Sequence, residues 1–201
     1  MPTGTADIFA ALARACEVAG DGSSDFDLNP KVRPTGRTLR PAGVLVPFME
    51  TDRGVELILT QRSSALKHHP GQVAFPGGKV DPGDVDEVDA ALREAHEEIG
   101  LAPGNVEVIG TLPTHETITA FRVQPVLARV REPFAFRPEP GEVAEVFTVP
   151  YAHVTDPARF VTEGRHFRGQ YREFYTVPWG PYYIWGATAR MLRVLADRVS
   201  R

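Results

Sequence analysis

The stretch FPGGKVDPGDVDEVDAALREAHEEIGL, residues 75–101, passes from paired glycines through a run of acidic residues into REAHEEIG. Its second half predicts a helix over residues 87–99. Asp86 suits the N-cap, the first turn is acidic as the helix dipole prefers, and Gly100 supplies a C-terminal stop. At about 100° per residue, Val88, Ala91, Leu92, Ala95 and Ile99 gather on one apolar face, and Glu94, Glu97 and Glu98 project from another. Like charges at that spacing repel. The carboxylate face is therefore either a solvated surface or the seat of something positive.

Oxygen donors at i, i+3 and i+4 suit a hard divalent ion, Mg2+ or Mn2+, and fit zinc less well. Arg93 precedes Glu97 by one turn and can neutralise and orient it. The preceding glycines, Gly77 and Gly78, permit close backbone approach to a ligand or metal. A bare turn explains PGG equally well on its own; its placement ahead of three helical carboxylates favours a site.

Outward from this stretch, GVLVPFM and VELILTQR, separated by ETDRG, read as a hairpin. VEVIGTL, FRVQPVLARV and VAEVFTVP read as further strands, with Pro125 expected at an edge or a bulge. RHFRGQYREFYTVPW alternates around Gly169 like a second hairpin. The tail predicts an amphipathic helix with Ile184, Ala187, Met191, Val194 and Leu195 on one side. ADIFAALARACEV predicts a short N-terminal helix, and the turn-rich segment after it a surface arm. Strands interrupted by a few helices indicate a mixed α/β (α+β) sandwich.

At 201 residues with a net charge of −4, the chain fits one domain and offers no general attraction for nucleic acid or an anionic membrane. An anionic substrate must find its positive charge locally or from metal. The single cysteine, Cys16, excludes an intramolecular disulfide and any CxxC metal site. No run of roughly 18–20 apolar residues is present, and the first twenty residues lack a signal-peptide pattern, so the expected location is the cytoplasm.

The combination of FPGG with REAHEEIGL resembles the Nudix box, a glycine followed by a spaced acidic residue and then R-E-U-x-E-E-x-G-U. Arg93, Glu94, Glu97, Glu98, Gly100 and Leu101 match, with Ala95 small where the family prefers a larger apolar residue. Fourteen residues separate Gly78 from Arg93, one more than in the usual box. Asp84 or Val85 consequently stands where the first glutamate is expected, and Asp84 is read as structural. The upstream run ILTQRSSALKHHPGQVAFPGG is similar to the signature of the coenzyme A pyrophosphatase branch, as is WGATA at residues 185–189. Lys67 stands where that signature has arginine and lacks its bidentate fork.

The resemblance implies a Nudix-type α/β/α sandwich with a mixed central sheet, formed by residues 42–201, on which an N-terminal helix and arm, residues 1–41, pack. It implies divalent-metal-dependent hydrolysis of coenzyme A or a derivative to 3′,5′-ADP and 4′-phosphopantetheine or its acyl form. Other readings are a Nudix hydrolase of ADP-ribose or another nucleoside diphosphate derivative, and a nucleotide sensor without catalysis. Glu94, Glu97 and Glu98 are the expected metal ligands, with Mg2+ or Mn2+ as cofactor. Glu94 or a later carboxylate, Glu142 or Glu145, would be the base. Arg62, Lys67, Gly77, Gly78 and Lys79 are the expected substrate contacts. His68, His69, His115, Glu116 and the aromatic residues Tyr182, Tyr183 and Trp185 are open to either surface, core or ligand-contact roles. A homodimer through the N-terminal helix is one arrangement the sequence leaves open.

Overall fold

A computed structural model describes residues 4–66, 69–167 and 169–201. Helix α1 (Thr5–Glu17) is followed by an arm containing the two-residue strand β1 (Ser23–Ser24). The hairpin of β2 (Arg40–Thr51) and β3 (Gly54–Arg62) follows, turning where Thr51 pairs with Gly54. Two short strands, β4 (Val73–Ala74) and β5 (Gly77–Lys79), lead into helix α2 (Glu87–Ile99). Then come β6 (Val106–Thr111), β7 (His115–Glu116), β8 (Phe121–Val130) and β9 (Val143–Pro150). A one-turn helix α3 (Tyr151–Val154), the hairpin of β10 (Val161–Phe167) and β11 (Gln170–Thr176), and helix α4 (Gly186–Val199) complete the order.

Strands β1 to β9 form one mixed sheet, parallel where β2 meets β8 and antiparallel where it meets β3, while β10 and β11 pair as a separate two-stranded sheet. Side chains alternate across the sheet and fill two cores. Leu45, Ile58, Val126 and Ala128 face α2 and meet its Ala91, Ala95 and Ile99. Val46, Leu57, Leu59 and Leu127 face the other way, onto Leu12 and Ala15 of α1 and Leu192 and Leu195 of α4. This is the expected α/β/α sandwich. The alanines of α2 are small for a reason: at Gly43 of β2, an added Cβ would collide with the Glu87 carbonyl, so the helix lies directly on the strand backbone.

The feature that creates the site is a split between β2 and β3. The first half of β2 bonds to β5, with Ala42 opposite Lys79, whereas the second half of β3 bonds to β4, with Thr60 opposite Ala74. The FPGG segment crosses that split, and the Pro76 carbonyl accepts from Leu45 N at 2.8 Å.

Three local expectations are revised. Pro125 lies inside β8, opposite Val44 of β2, at the point where the outer partner of β8 changes from β6 to β7. Its absent N–H falls in that gap, and the Leu112 carbonyl accepts from the Gln124 side-chain amide at 2.6 Å. In the closing helix, Ile184 is buried but precedes the first turn, and Val194 is only half-buried. The second hairpin begins at Val161, four residues before the stretch that announces it. Cys16 packs against Gly110 of β6, and burial raises its thiol pKa. No helix among the described residues is long and apolar enough to cross a membrane.

Candidate active site

Helix α2 is fixed at both ends. The Asp86 carboxylate accepts from Val88 N and Asp89 N, both at 2.9 Å, and Gly100 ends the helix in the left-handed region, φ 76°. The carbonyls that the last turn leaves without helical partners are taken by a distant segment. Arg137 N donates to the Ile99 carbonyl at 3.0 Å and Glu139 N to the Glu98 carbonyl at 2.9 Å. Glu142 N and Val143 N fold back onto the Glu139 carbonyl, and Ser63 N donates to the Glu142 carbonyl at 2.8 Å. Glu142 is thereby delivered to the C-terminal end of α2.

Three carboxylates meet there. One oxygen from each of Glu94, Glu98 and Glu142 lies within 4.8 Å of the other two. Glu98 is 4% exposed and does not project into solvent with its neighbours; it turns into the split, where Gly77 N donates to its Oε2 at 3.1 Å. Burial pushes its pKa up to about 7, against the pull of that N–H and of Arg62. Burial also raises Glu94, opposed by the Arg93 hydrogen bond. In both, burial outweighs the favourable N–H and arginine interactions, with the neighbouring carboxylates adding to the rise. Clustered hard oxygen donors of this kind fit a divalent ion.

Both glycines serve the carboxylates. Gly77 adopts φ 152°, and an added Cβ at Gly78 would collide with the Glu94 carboxylate. Arg93 acts on position and not at the cluster's centre. Its Nε and Nη2 grip Asp84 at 2.8 and 2.9 Å, and Nη1 reaches Glu94 at 3.0 Å and Glu97 at 3.2 Å. That fork holds the Asp84 carboxyl down to about 2. The extra loop residue is accommodated next to it: Val85 is 89% exposed, so the added length bulges into water while Asp84 turns inward.

The remaining candidates separate clearly. Glu97 is exposed and bound to Arg93, outside the three-carboxylate group. Arg62 sits at the bulge where β3 shifts register against β9; its buried Nε has no partner among the described residues. Lys79 is exposed and pairs with Asp81 at 2.7 Å. Lys67 and His68 lie outside the described residues, while His69 is exposed and meets Gln72. Glu145 accepts from Tyr182 at 2.7 Å, and the Tyr182 ring stacks on Phe147. Tyr183 and Trp185 surround the protein's own Arg165. His115 is wholly buried between Ser23 and Asp25, and Glu116 is bound by Arg33 and Arg37. The docking of residues 137–143 onto α2 is the part sequence reading missed; Gly100 signals that the helix stops, not what caps its carbonyls.

The family model described as NUDIX domain matches residues 39–169. The chain belongs to the Nudix family. A Nudix relative from Citrobacter koseri, named uncharacterized Nudix hydrolase NudL, is 39% identical over 172 residues, covering 86% of this chain and 89% of the relative. The protein of the same name from Escherichia coli K12 is 38% identical with the same coverage. A solved MutT/nudix family protein from Enterococcus faecalis shares the fold, with a TM-score of 0.52 at 15% identity over all of this chain and 76% of that one. As a Nudix hydrolase, the protein acts on pyrophosphate bonds of nucleotide derivatives, an activity that in this family generally requires divalent metal.

Proposed function

We propose that this Nudix hydrolase cleaves the pyrophosphate of coenzyme A or its derivatives, releasing 3′,5′-ADP and 4′-phosphopantetheine or its acyl form, with Mg2+ or Mn2+, in the cytoplasm. The observation that carries the substrate assignment is Arg62. It lies in the run ILTQRSSALKHHPGQVAFPGG, its buried Nε lacks a partner among the described residues, and its charge acts on Glu98. An arginine fork left open at a carboxylate cluster suits phosphoryl oxygens.

Glu94, Glu98 and Glu142 would hold the divalent ion, which when bound neutralises phosphate charge and lowers the pKa of water. Arg93 keeps Glu94 aimed by tying it to the Asp84 loop. Gly77 N–H holds one oxygen of Glu98, leaving the other available. Glu142, the exposed member, is the candidate base that receives the proton of the attacking water. Arg62 orients the phosphoryl group beside it.

The test is a panel of coenzyme A, ADP-ribose, NADH and nucleoside triphosphates, with products separated by chromatography and kcat/KM compared. Coenzyme A should lead. Preference for a substrate without the 3′-phosphate would assign the enzyme to ADP-ribose or another dinucleotide, consistent with lysine at position 67. Tight nucleotide binding with no product in the presence of metal would leave only a sensor.

A further inference from the structure

We propose that a cleft between the N-terminal arm and the sheet edge is a second anion site, for a phosphate monoester, separate from the carboxylate cluster. The cavity has a volume of about 290 Å3, near the lower limit of small-molecule pockets, and is lined by Gly22, Leu39, Thr114, Glu116, Arg33 and Arg122 among others. It exists because the arm is fastened to the sheet. β1 runs parallel to β7, Ser23 Oγ meets His115 Nδ1 at 2.9 Å, and Asp25 Oδ1 meets His115 Nε2 at 3.1 Å.

The arginines around the cleft fall into two kinds. Arg37 is fully engaged: it holds Glu116 through Nε at 3.3 Å and Nη2 at 2.8 Å, and donates to the carbonyls of Thr117 and Ile118. Both Arg37 contacts fall on Glu116 Oε1, and Oε2 is left to Arg33. Arg33 adds one nitrogen to it, and Arg122 one nitrogen to Glu87 at 3.0 Å. A guanidinium carries five N–H donors. Among the described residues, both therefore keep donors unengaged, on side chains 56% and 55% exposed. Thr114 adds a hydroxyl-bearing side chain to the same lining. Asp27, also on the lining, is matched by Arg190 at 2.7 Å. Arg33, Arg37 and Arg122 then face Glu116 and Glu87, a positive surplus in a chain whose net charge is −4. Unengaged guanidinium forks with a nearby hydroxyl match phosphoryl oxygens, and Leu39 offers an apolar wall for an attached group.

The cleft is not an extension of the catalytic centre. From β5, the sheet passes through β2 and β8 to β7, three steps or about 14 Å at the usual strand spacing. Arg122 is held at Glu87, the opposite end of α2 from Glu98.

Wild-type protein in EDTA, titrated with inorganic phosphate and separately with AMP, tests this by the amide NMR signals of Gly22, Thr114 and Arg122. Saturable shifts at all three are expected, with AMP tighter than phosphate if the apolar wall is used and equal if only the phosphoryl group is read. The Arg33→Gln/Arg122→Gln variant should weaken binding by at least about tenfold, with substrate turnover in phosphate-free buffer unchanged. Arg62→Ala should leave the three shifts intact. Absent saturation, shifts confined to Gly77 and Ala74, or undiminished affinity in the double variant would overturn the proposal. The wild-type titration stands even if the double variant does not fold.

Discussion

Replacing Glu98 by glutamine should abolish turnover and stabilise the metal-free protein. Glu98 is almost wholly buried, and its carboxyl is displaced upward from 4.5 to about 7 because burial penalises the charged form. A group whose pKa is raised by folding contributes stability that is complete below its unfolded value and is lost as pH climbs through the folded value. For Glu98 that window runs from 4.5 to about 7. At pH 8 the ionised side chain would hold the metal-free fold about 3 kcal/mol below its pH 4 contribution. Glutamine keeps the oxygen that accepts from Gly77 N and presents its amide to the Glu94 and Glu142 carboxylates. In EDTA at pH 8, Glu98→Gln should therefore melt about 6–12 °C above wild type, and the difference should vanish near pH 4.5. Mg2+ should raise the wild-type melting temperature and move the variant much less. Thermal unfolding followed by circular dichroism at several pH values provides the measurement. A variant that melts at or below wild type in EDTA at pH 8 would refute the assignment of Glu98 as a carboxylate whose charge is penalised by burial.

Gly78→Ala places a methyl against the Glu94 carboxylate; kcat should fall by on the order of a hundredfold through misplacement, with an unchanged circular dichroism spectrum. Asp84→Asn removes the anchor of Arg93, and kcat/KM should drop by about 10–100-fold. Because Asp84 is held at about 2, its pairing is complete above the ordinary carboxylate range and lost only as pH falls through about 2. Any acid limb of the wild-type pH–rate profile near neutrality must therefore survive in Asp84→Asn. Arg198→Ala strips the carbonyls of Ala15 and Val18 of their buried donor; this should cost about 1–3 kcal/mol. Limited proteolysis should then cut near α1 first, with kcat close to wild type.

Much of α2 was legible because its signals are local. Asp86 and Gly100 sit where capping chemistry requires them, and the alternation of GVLVPFM and VELILTQR needs no distant partner. Sequence periodicity groups Glu98 with Glu94 and Glu97 on one outward face, although it stands at that face's boundary, beside the buried Ile99. Only Gly77 N–H, contributed by another strand, decides which way it turns. Glu97 fits the same periodic face yet stays at the surface, held by Arg93. The delivery of Glu142 depends on backbone bonds across residues 98–139, and backbone groups carry no sequence signature. Pro125 shows the same limit. The rule that proline avoids paired ladders holds, but the vacancy it occupies is set by where β6 and β7 exchange places.

The outward bulge at Val85 bears on how such proteins are recognised. What Arg93 requires is a carboxylate within reach of its fork, and the chain meets that requirement with one residue more than the usual spacing by letting the surplus hang in water. Separation along the sequence is then a loose proxy for a fixed separation in space. Patterns that demand a set interval between Gly78 and Arg93 would pass over chains that keep the same geometry with a longer loop. A search for a carboxylate able to reach the arginine, whatever its register, would find them.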